Sequence, residues 1–350
     1  MSSFVDQLNK SGEEGYRLKT STYGYQNLFG WSYYIPVGIL QSDETQFEYS
    51  SFEVISTLFF AISGFEPKYA EQSQKGFRLV DHFLEKSICD EQSSEDTIRM
   101  MPICATTYQF LLEREKGANA PTDFVMAEDT PTFKRNPGRT LGSAILEKWA
   151  EGFYPASVFT NYQILLAHAE QKTDLQPEPL EVQVVNSSFG NPVKKKIKTL
   201  AQQGFRLSVI GQECAVMYRQ ANEQNPVSYE WLNAKNKKLE KELAKLQESG
   251  AVYRMVYRDQ NLENQLVFER PVNGSTRSSE YRVLKLSFQL VDPPPRKGVR
   301  VLDARVDLTP EAKQTLKLLN DLAREGFVVR DLFRPEFISN NVHVLLERSK

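Results

Sequence analysis

Residues 319–327 read Leu-Asn-Asp-Leu-Ala-Arg-Glu-Gly-Phe: an apolar face, a polar residue, a glycine and an aromatic. The end of this phrase recurs as Glu14-Gly15-Tyr16, Lys75-Gly76-Phe77, Glu151-Gly152-Phe153, Gln203-Gly204-Phe205 and Ser249-Gly250-Ala251. The residue seven before each glycine is apolar or aromatic: Leu8, Tyr69, Ile145, Ile197, Leu243 and Leu319. In the last three copies Leu200, Leu246 and Leu322 stand four before it. Both offsets place side chains on one helical face. Each phrase therefore predicts a helix that stops where φ turns positive, a position at which glycine avoids the Cβ clash. A strand begins at the aromatic.

A second phrase follows each of the last five glycines. It is a seven-residue strand closing on a cation: Tyr108–Arg114, Tyr162–His168, Glu213–Arg219, Asn264–Arg270 and Val342–Arg348. Phe110, Ile164, Ala215, Leu266 and Val344 form one column; Leu112, Leu166, Met217, Phe268 and Leu346 form the next. The two columns share a face, which marks a half-buried strand. In the first copy Tyr33–Leu40 is the corresponding closing strand. Opening strands are expected at Gln46–Ile55, Asp123–Glu128, Leu180–Val185, Val227–Leu232 and Tyr281–Val291. The first copy has none, because its helix begins almost at Met1; the last unit or a partner could supply it, or the natural chain could start earlier.

The expected fold is α+β: six tandem βαββ repeats, each an antiparallel three-stranded sheet with one helix. Successive glycines lie 61, 76, 52, 46 and 76 residues apart, so loops are inserted into a common unit. The units run 1–45, 46–119, 120–172, 173–223, 224–275 and 276–350. Thr130–Gly138 and Thr173–Pro179 read as linkers. Asn273-Gly274 reads as a tight turn, Asp292–Gly298 as a proline-rich interruption of a hairpin, and Cys89–Thr106 as an insertion.

Composition narrows the function classes. The 43 Lys+Arg against 45 Asp+Glu leave a net charge of −2, which argues against a dedicated nucleic-acid binder. No apolar run approaches the roughly 18 residues of a membrane helix, and no signal peptide is visible. The 3 cysteines, Cys89, Cys104 and Cys214, lack C-x-x-C spacing, so neither a disulfide scaffold nor a zinc module is expected. The expected compartment is the cytoplasm.

The paired phrases resemble a small bacterial βαββ domain family of unknown function, whose helix ends in Glu-Gly-Trp and whose last strand ends in Phe-Lys-Arg. Leu322–Phe327 with Leu345–Arg348, and Leu200–Phe205 with Met217–Arg219, carry the resemblance best. Phe or Tyr replaces the family's Trp, and the fifth copy has Ala251. The resemblance implies the fold and no activity.

No catalytic signature emerges. His82, His168 and His343 fall in strands of different units, without metal-ligand spacing. Phosphate-loop and nucleophile-elbow motifs are absent, so no cofactor is expected. Lys194-Lys195-Lys196 with Lys198, and Lys235, Lys237, Lys238, Lys241 and Lys245 with Glu240, Glu242 and Glu248, read as solvated helix faces. The candidate binding set is the cation row Arg114, His168, Arg219, Arg270 and Arg348, which stacked units would align for an anion or a partner.

The reading that follows is a non-catalytic repeat protein acting as a scaffold or protein-interaction module, with an unidentified protein partner or self-association. The alternative is a binder of a small or anionic ligand in a groove between repeats. The aromatics Tyr23, Tyr25, Phe29, Trp31, Tyr33 and Tyr34 add to that alternative. An unfamiliar enzyme would gather Asp81, His82 and the Cys89–Thr106 insertion.

Overall fold

The computed structural model describes residues 2–28, 31–57, 64–89, 104–127, 140–159, 163–168, 181–186, 193–211, 214–220, 225–259, 263–272, 279–290, 306–335 and 341–349. The linkers Thr130–Gly138 and Thr173–Pro179, the Asn273-Gly274 turn and Asp292–Gly298 lie outside these residues. So do residues 90–103 of the insertion in the second unit and the side chains of the first unit's aromatic cluster.

The chain is α+β, with six helices and six small antiparallel sheets among the described residues, consistent with repeated units. The first unit holds α1 (Ser2–Glu13), β1 (Tyr16–Leu28) and β2 (Trp31–Ser42). The second holds β3 (Phe47–Thr57), α2 (Phe65–Ser73), β4 (Arg78–Cys89) and β5 (Cys104–Glu115). The third holds β6 (Phe124–Ala127), α3 (Leu141–Ala150), β7 (Phe153–Val158) and β8 (Ile164–His168). The fourth holds β9 (Glu181–Asn186), α4 (Val193–Gln202), β10 (Arg206–Ile210) and β11 (Cys214–Arg219). The fifth holds β12 (Val227–Asn233), α5 (Leu239–Glu248), β13 (Val252–Arg258) and β14 (Asn264–Pro271). The sixth holds β15 (Ser279–Leu290), β16 (Val306–Leu308), α6 (Pro310–Arg324), β17 (Val328–Phe333) and β18 (Asn341–Ser349).

From the second unit onward the closing strand is central, between the opening strand and the strand that follows the helix. Two sheets depart from the expected three strands. The first has only β1 and β2, and the sixth gains a fourth strand because β16 pairs with the far end of β15. In the second unit the insertion is in part a longer hairpin: β4 and β5 stay paired until Cys89 stands opposite Cys104.

The glycines do what their spacing predicts. Gly15, Gly76, Gly152, Gly204, Gly250 and Gly326 all have φ between 71° and 94°. At four of them the next residue's N–H returns to a carbonyl of the last helical turn, as in Phe77 to Gln72, Phe205 to Leu200, Ala251 to Leu246 and Phe327 to Leu322. This is the bond set that satisfies orphan carbonyls at a helix end. At the other end of two helices, Thr140 and Thr309 accept the N–H groups of Ser143 and Ala312 as N-caps.

A regularity absent from the sequence reading follows each glycine. The strand after the helix carries an extra, bulged residue four positions on: Lys19, Val80, Ala156, Ser208, Arg254 and Arg330. A bulge bends its strand and breaks the hydrogen-bond ladder locally.

The closing strand is not half-buried, as its two columns suggested. The intervening column of Leu111, Leu165, Val216, Val267 and Leu345 is fully buried as well. The reason is packing on both faces. Leu266 and Phe268 face the core that includes α5, and Val267 faces the core of the fourth unit. Six apolar clusters result, each spanning two units: first and second, second and third, and so on around the chain. The sixth cluster joins the last unit to the first, with Ile39 packed among Leu286, Leu322, Phe327 and Val344. The units therefore close on themselves as a ring of contacts.

Candidate functional site

At each of the five forward seams, from one unit to the next along the chain, the opening strand of the later unit packs on the unit before it. At the first seam the Tyr49 hydroxyl accepts the Leu18 N–H at 2.7 Å and donates to Glu113 at 2.9 Å. At the fourth seam the Tyr229 hydroxyl accepts the Leu207 N–H at 2.7 Å and donates to Glu269 at 2.8 Å. At the fifth the Tyr281 hydroxyl accepts the Tyr253 N–H at 3.0 Å and donates to the Ala251 carbonyl at 3.0 Å, with Glu347 farther off at 3.5 Å. The N–H groups belong to the residue three after the glycine, immediately before the bulge. A donor buried in a seam must be met, because leaving it unpaired costs about 1–3 kcal/mol.

The two remaining forward seams meet the same demand differently. In the third unit Phe124 stands where the others have tyrosine, and so carries no hydroxyl. There the Leu79 N–H is accepted by Tyr69 from the helix of its own unit, at 3.1 Å. In the fourth unit Val182 occupies the place, and the preceding unit presents Pro155, which has no N–H.

The glutamates are nearly sealed from water and compensated. The Glu113 side chain is 1% exposed and receives Arg17 of the first unit at 2.9 Å and Arg78 of its own at 2.8 Å. Glu269 is paired with Arg206 across the seam and with Arg254 at 2.7 Å. Glu347 holds Arg330 at 2.5 Å. Burial acts to raise the Glu269 carboxyl, but Arg254 and Arg206 outweigh it and hold the group below its ordinary value. Burial, then the neighbouring glutamate, pushes the Tyr49 and Tyr229 hydroxyls well up, so they remain protonated donors. The sequence reading missed these residues. Their signal was present: Glu before the terminal Arg in Tyr108–Arg114, Asn264–Arg270 and Val342–Arg348, each strand facing a tyrosine.

The cation row is engaged within its own units. The guanidinium groups of Arg114, Arg219 and Arg348 lie over the rings of Phe77, Phe205 and Phe327 at 4.5, 5.0 and 4.5 Å. His168 packs on Phe153 with centroids 4.0 Å apart. Across the sheet, Arg114 pairs with Glu48, Arg219 with Glu181 and Arg348 with Glu280, at 2.5, 2.7 and 2.5 Å. Arg114 and Arg348 also donate to the carbonyls of Lys75 and Glu325, at the C-terminal ends of their helices. Arg270, whose unit has Ala251 in place of the aromatic, reaches Glu230 at 3.7 Å and Ser228 at 3.5 Å among the described residues. In the second, third, fourth and sixth units the aromatic after the glycine and the terminal cation thus form one latch across the sheet.

Two clefts open at seams. One of about 460 Å³ lies between the first and second units, lined by Arg17, Lys19, Arg78 and Glu113. The other, of about 540 Å³, lies between the fifth and sixth units. It gathers Lys235, Lys237, Lys238, Lys241, Lys285 and His343 at the start of α5, where the Asn236 side-chain oxygen accepts the Lys238 N–H at 2.9 Å. The Nδ1 atom of His343 is buried there without a hydrogen-bond partner. Burial, then Lys285, holds the His343 imidazole down to about 4, so it is neutral at pH 7.

Where the bulged strands of different units meet, polar groups face one another. Asp81 accepts from the Ser21 hydroxyl at 2.5 Å, and Asp331 accepts from Thr20 at 3.2 Å and from Tyr253 at 2.7 Å. Both aspartates keep some surface open to water, yet protein encloses them closely. Burial raises Asp81 to about 7, with Asp331 adding to the shift, and raises Asp331 to about 6. Burial lowers His82, which packs edge-on against Phe159 at 5.3 Å, to about 4. Asp81 and His82 are brought together only through the His82 N–H, which donates to the Asp81 carboxylate at 2.7 Å. Cys214 is buried in the core between the third and fourth units.

Among the described residues no cluster of His, Cys, Asp and Glu is arranged to hold a metal ion, and no helix is long and apolar enough to cross a membrane. No protein-family model matches the chain, and no curated protein or solved structure matches it.

Two outcomes follow from this geometry. Tyr229→Phe leaves the Leu207 N–H unmet and removes a donor from Glu269, so stability should fall by about 1–3 kcal/mol; chemical denaturation measures it, and an unchanged midpoint would show that the hydroxyl is dispensable. The aspartates generate a pH dependence of definite sign. Their folded values lie above the ordinary 3.8, so the folded chain binds more protons, and stability is lost as pH rises from about 4 toward 7. His82 acts oppositely, losing stability as pH falls below 6.5. Asp81→Asn should therefore stabilise the protein more at pH 8 than at pH 5, by on the order of 2 kcal/mol. Equal effects in denaturation curves at the two pH values would contradict this.

Proposed function

We propose that the chain is a set of six tandem βαββ repeats closed into a ring, and that it works as a non-catalytic protein-interaction module. The observation that carries this reading is where the recurring polar chemistry sits. The positive-φ glycines and stacked cations hold each unit together, and the seam tyrosines and buried glutamates join one unit to the next. Their recurrence is accounted for by architecture. What differs from unit to unit is the outward helix surface, as in Lys195 and Lys198 on α4, Glu240, Lys241 and Glu248 on α5, and Glu311, Lys313 and Lys317 on α6, all exposed. A rigid array of unlike surfaces suits recognition of polypeptides. Affinity capture from a native-host extract, read by quantitative mass spectrometry, should recover a reproducible set of proteins with the intact ring. Recovery of nothing above background would count against it.

The cleft between the fifth and sixth units favours a second reading, a binder of small anions. Its lysines, gathered at the start of α5, supply positive charge. On this reading inorganic pyrophosphate raises the melting temperature of the wild-type protein and leaves that of a Lys238→Glu, Lys241→Glu double variant unmoved. A flat response of the wild type would remove it.

A further inference from the structure

Among the described residues no strand fills the seam between the sixth and first units. At the first seam, α1 holds the opening strand of the next unit through one side chain and one gap. Asn9 donates to the Tyr49 carbonyl at 3.1 Å and accepts the Tyr49 N–H at 2.6 Å, so its amide mimics a neighbouring strand. Three residues on, a Cβ at Gly12 would lie 2.2 Å from the Phe47 carbonyl oxygen, which shows how closely strand and helix approach. Asn9 and Gly12 stand six and three residues before Gly15.

On α6 the residues six and three before Gly326 are Asn320 and Ala323: the same amide, and a residue one methyl larger than Gly12, which sets a docked strand farther from the helix than β3 lies from α1. No other helix repeats the asparagine; the place holds Ala70, Leu146, Lys198 and Ala244. Yet Asn320 and Ala323 are exposed, and the Asn320 side chain makes no hydrogen bond among the described residues. The surrounding surface is equally uncovered. Leu318 and Val328 are 46% and 47% exposed. Leu319 is only half-buried, whereas its five counterparts, Leu8, Tyr69, Ile145, Ile197 and Leu243, are at most 3% exposed. Val329, at the position of Leu18, Leu207 and Tyr253, meets no tyrosine among the described residues.

The far wall of the same gap is β2. Its sheet contains no other partner than β1 among the described residues, although the equivalent strand of every other unit is paired on both edges. Gln41 faces Arg17 in the register in which Glu113 faces Arg78, so an exposed amide stands where the buried glutamate would be. Pro36, a residue suited to an edge, limits the pairing to a short stretch toward Ser42.

We infer that this gap is a docking groove for an extended strand of a partner polypeptide, which adds to the edge of β2, takes both main-chain hydrogen bonds of Asn320 and places a tyrosine hydroxyl between the Val329 N–H and Gln41. The five filled seams define the occupant. Each is occupied by an extended segment, and three present a tyrosine, as in Phe47-Glu48-Tyr49, Val227-Ser228-Tyr229 and Ser279-Glu280-Tyr281. Strand addition of this kind draws affinity from main-chain bonds and specificity from alternate side chains. The inference rests on the interaction reading and names the chemistry of the partner.

The test uses the full chain and a labelled peptide copying residues 46–52 (QFEYSSF), followed by fluorescence anisotropy. Saturable binding is expected. It should weaken at least tenfold with the protein variant Asn320→Leu, with Ala323→Arg, and with a peptide carrying phenylalanine for its tyrosine. Because both protein positions are exposed, the variants should keep the wild-type melting temperature. Absence of saturable binding, or binding indifferent to all three changes, would overturn the proposal. Native mass spectrometry adds a further arm: a dimer that Asn320→Leu dissociates would make a second copy the occupant and also overturn it. If the peptide fails while proteins captured from extract still bind Asn320→Leu, the groove falls and the interaction reading stands.

Discussion

A main-chain N–H ahead of a bulge, turned into a seam, is the constraint on which the ring depends. The bulge follows from the helix stop, because it always lies four residues beyond the positive-φ glycine. Once the ladder is broken there, water or a side chain must take the donor. In a packed seam a side chain does so. Tyrosine fits because its ring fills the apolar gap and its hydroxyl can accept from one unit while donating to another. The solutions at the second and third seams show that the demand is physical. One borrows Tyr69 from the helix behind; the other deletes the donor with Pro155.

The buried glutamates extend the same logic. A tyrosine hydroxyl that accepts an N–H needs somewhere to donate: Glu113 and Glu269 provide it at two seams, and at the fifth the Ala251 carbonyl does, with Glu347 farther off. Their charges then require arginines, drawn from the bulge itself (Arg254, Arg330) or from two residues before it (Arg17, Arg78, Arg206). Units whose closing strand has Ala167 or Tyr218 at that place face Phe124 or Val182 across the sheet, so hydroxyl and carboxylate are absent together. Removing one member of such a buried set is far more costly than replacing all of them.

Much of the local architecture was legible because it rests on near neighbours. The glycine stops, the helix faces and the order of strand and helix are encoded within about ten residues, where period and turn chemistry operate. What lay between units was not legible. The closing strand reads as half-buried if only its own helix is considered; Leu111 or Val267 makes sense only with a second unit against the other face. The cation row illustrates the same limit. Its alignment was read from the repeat, but its engagement with Phe77, Phe205 and Phe327 depends on which side of the sheet the helix end reaches. The basic stretch Lys235–Lys241 read as a solvated face, and a cleft forms there only because Lys285 and His343 arrive from the next unit.

The core shared by the first and last units has a consequence for how the chain is assembled. An open stack of repeats needs polar caps at its two ends, since each terminal unit leaves one apolar face without a neighbour. Here the terminal units cover one another through Ile39 and the core around Val344, so no cap is required. That economy shifts the difficulty from sequence to time. During synthesis the first sheet emerges early, but the residues that bury Ile39 come from the far end of the chain, and contacts of such long range form slowly. Until the sixth unit arrives, an unpaired strand edge and an apolar face wait side by side, the arrangement most prone to pairing with another chain.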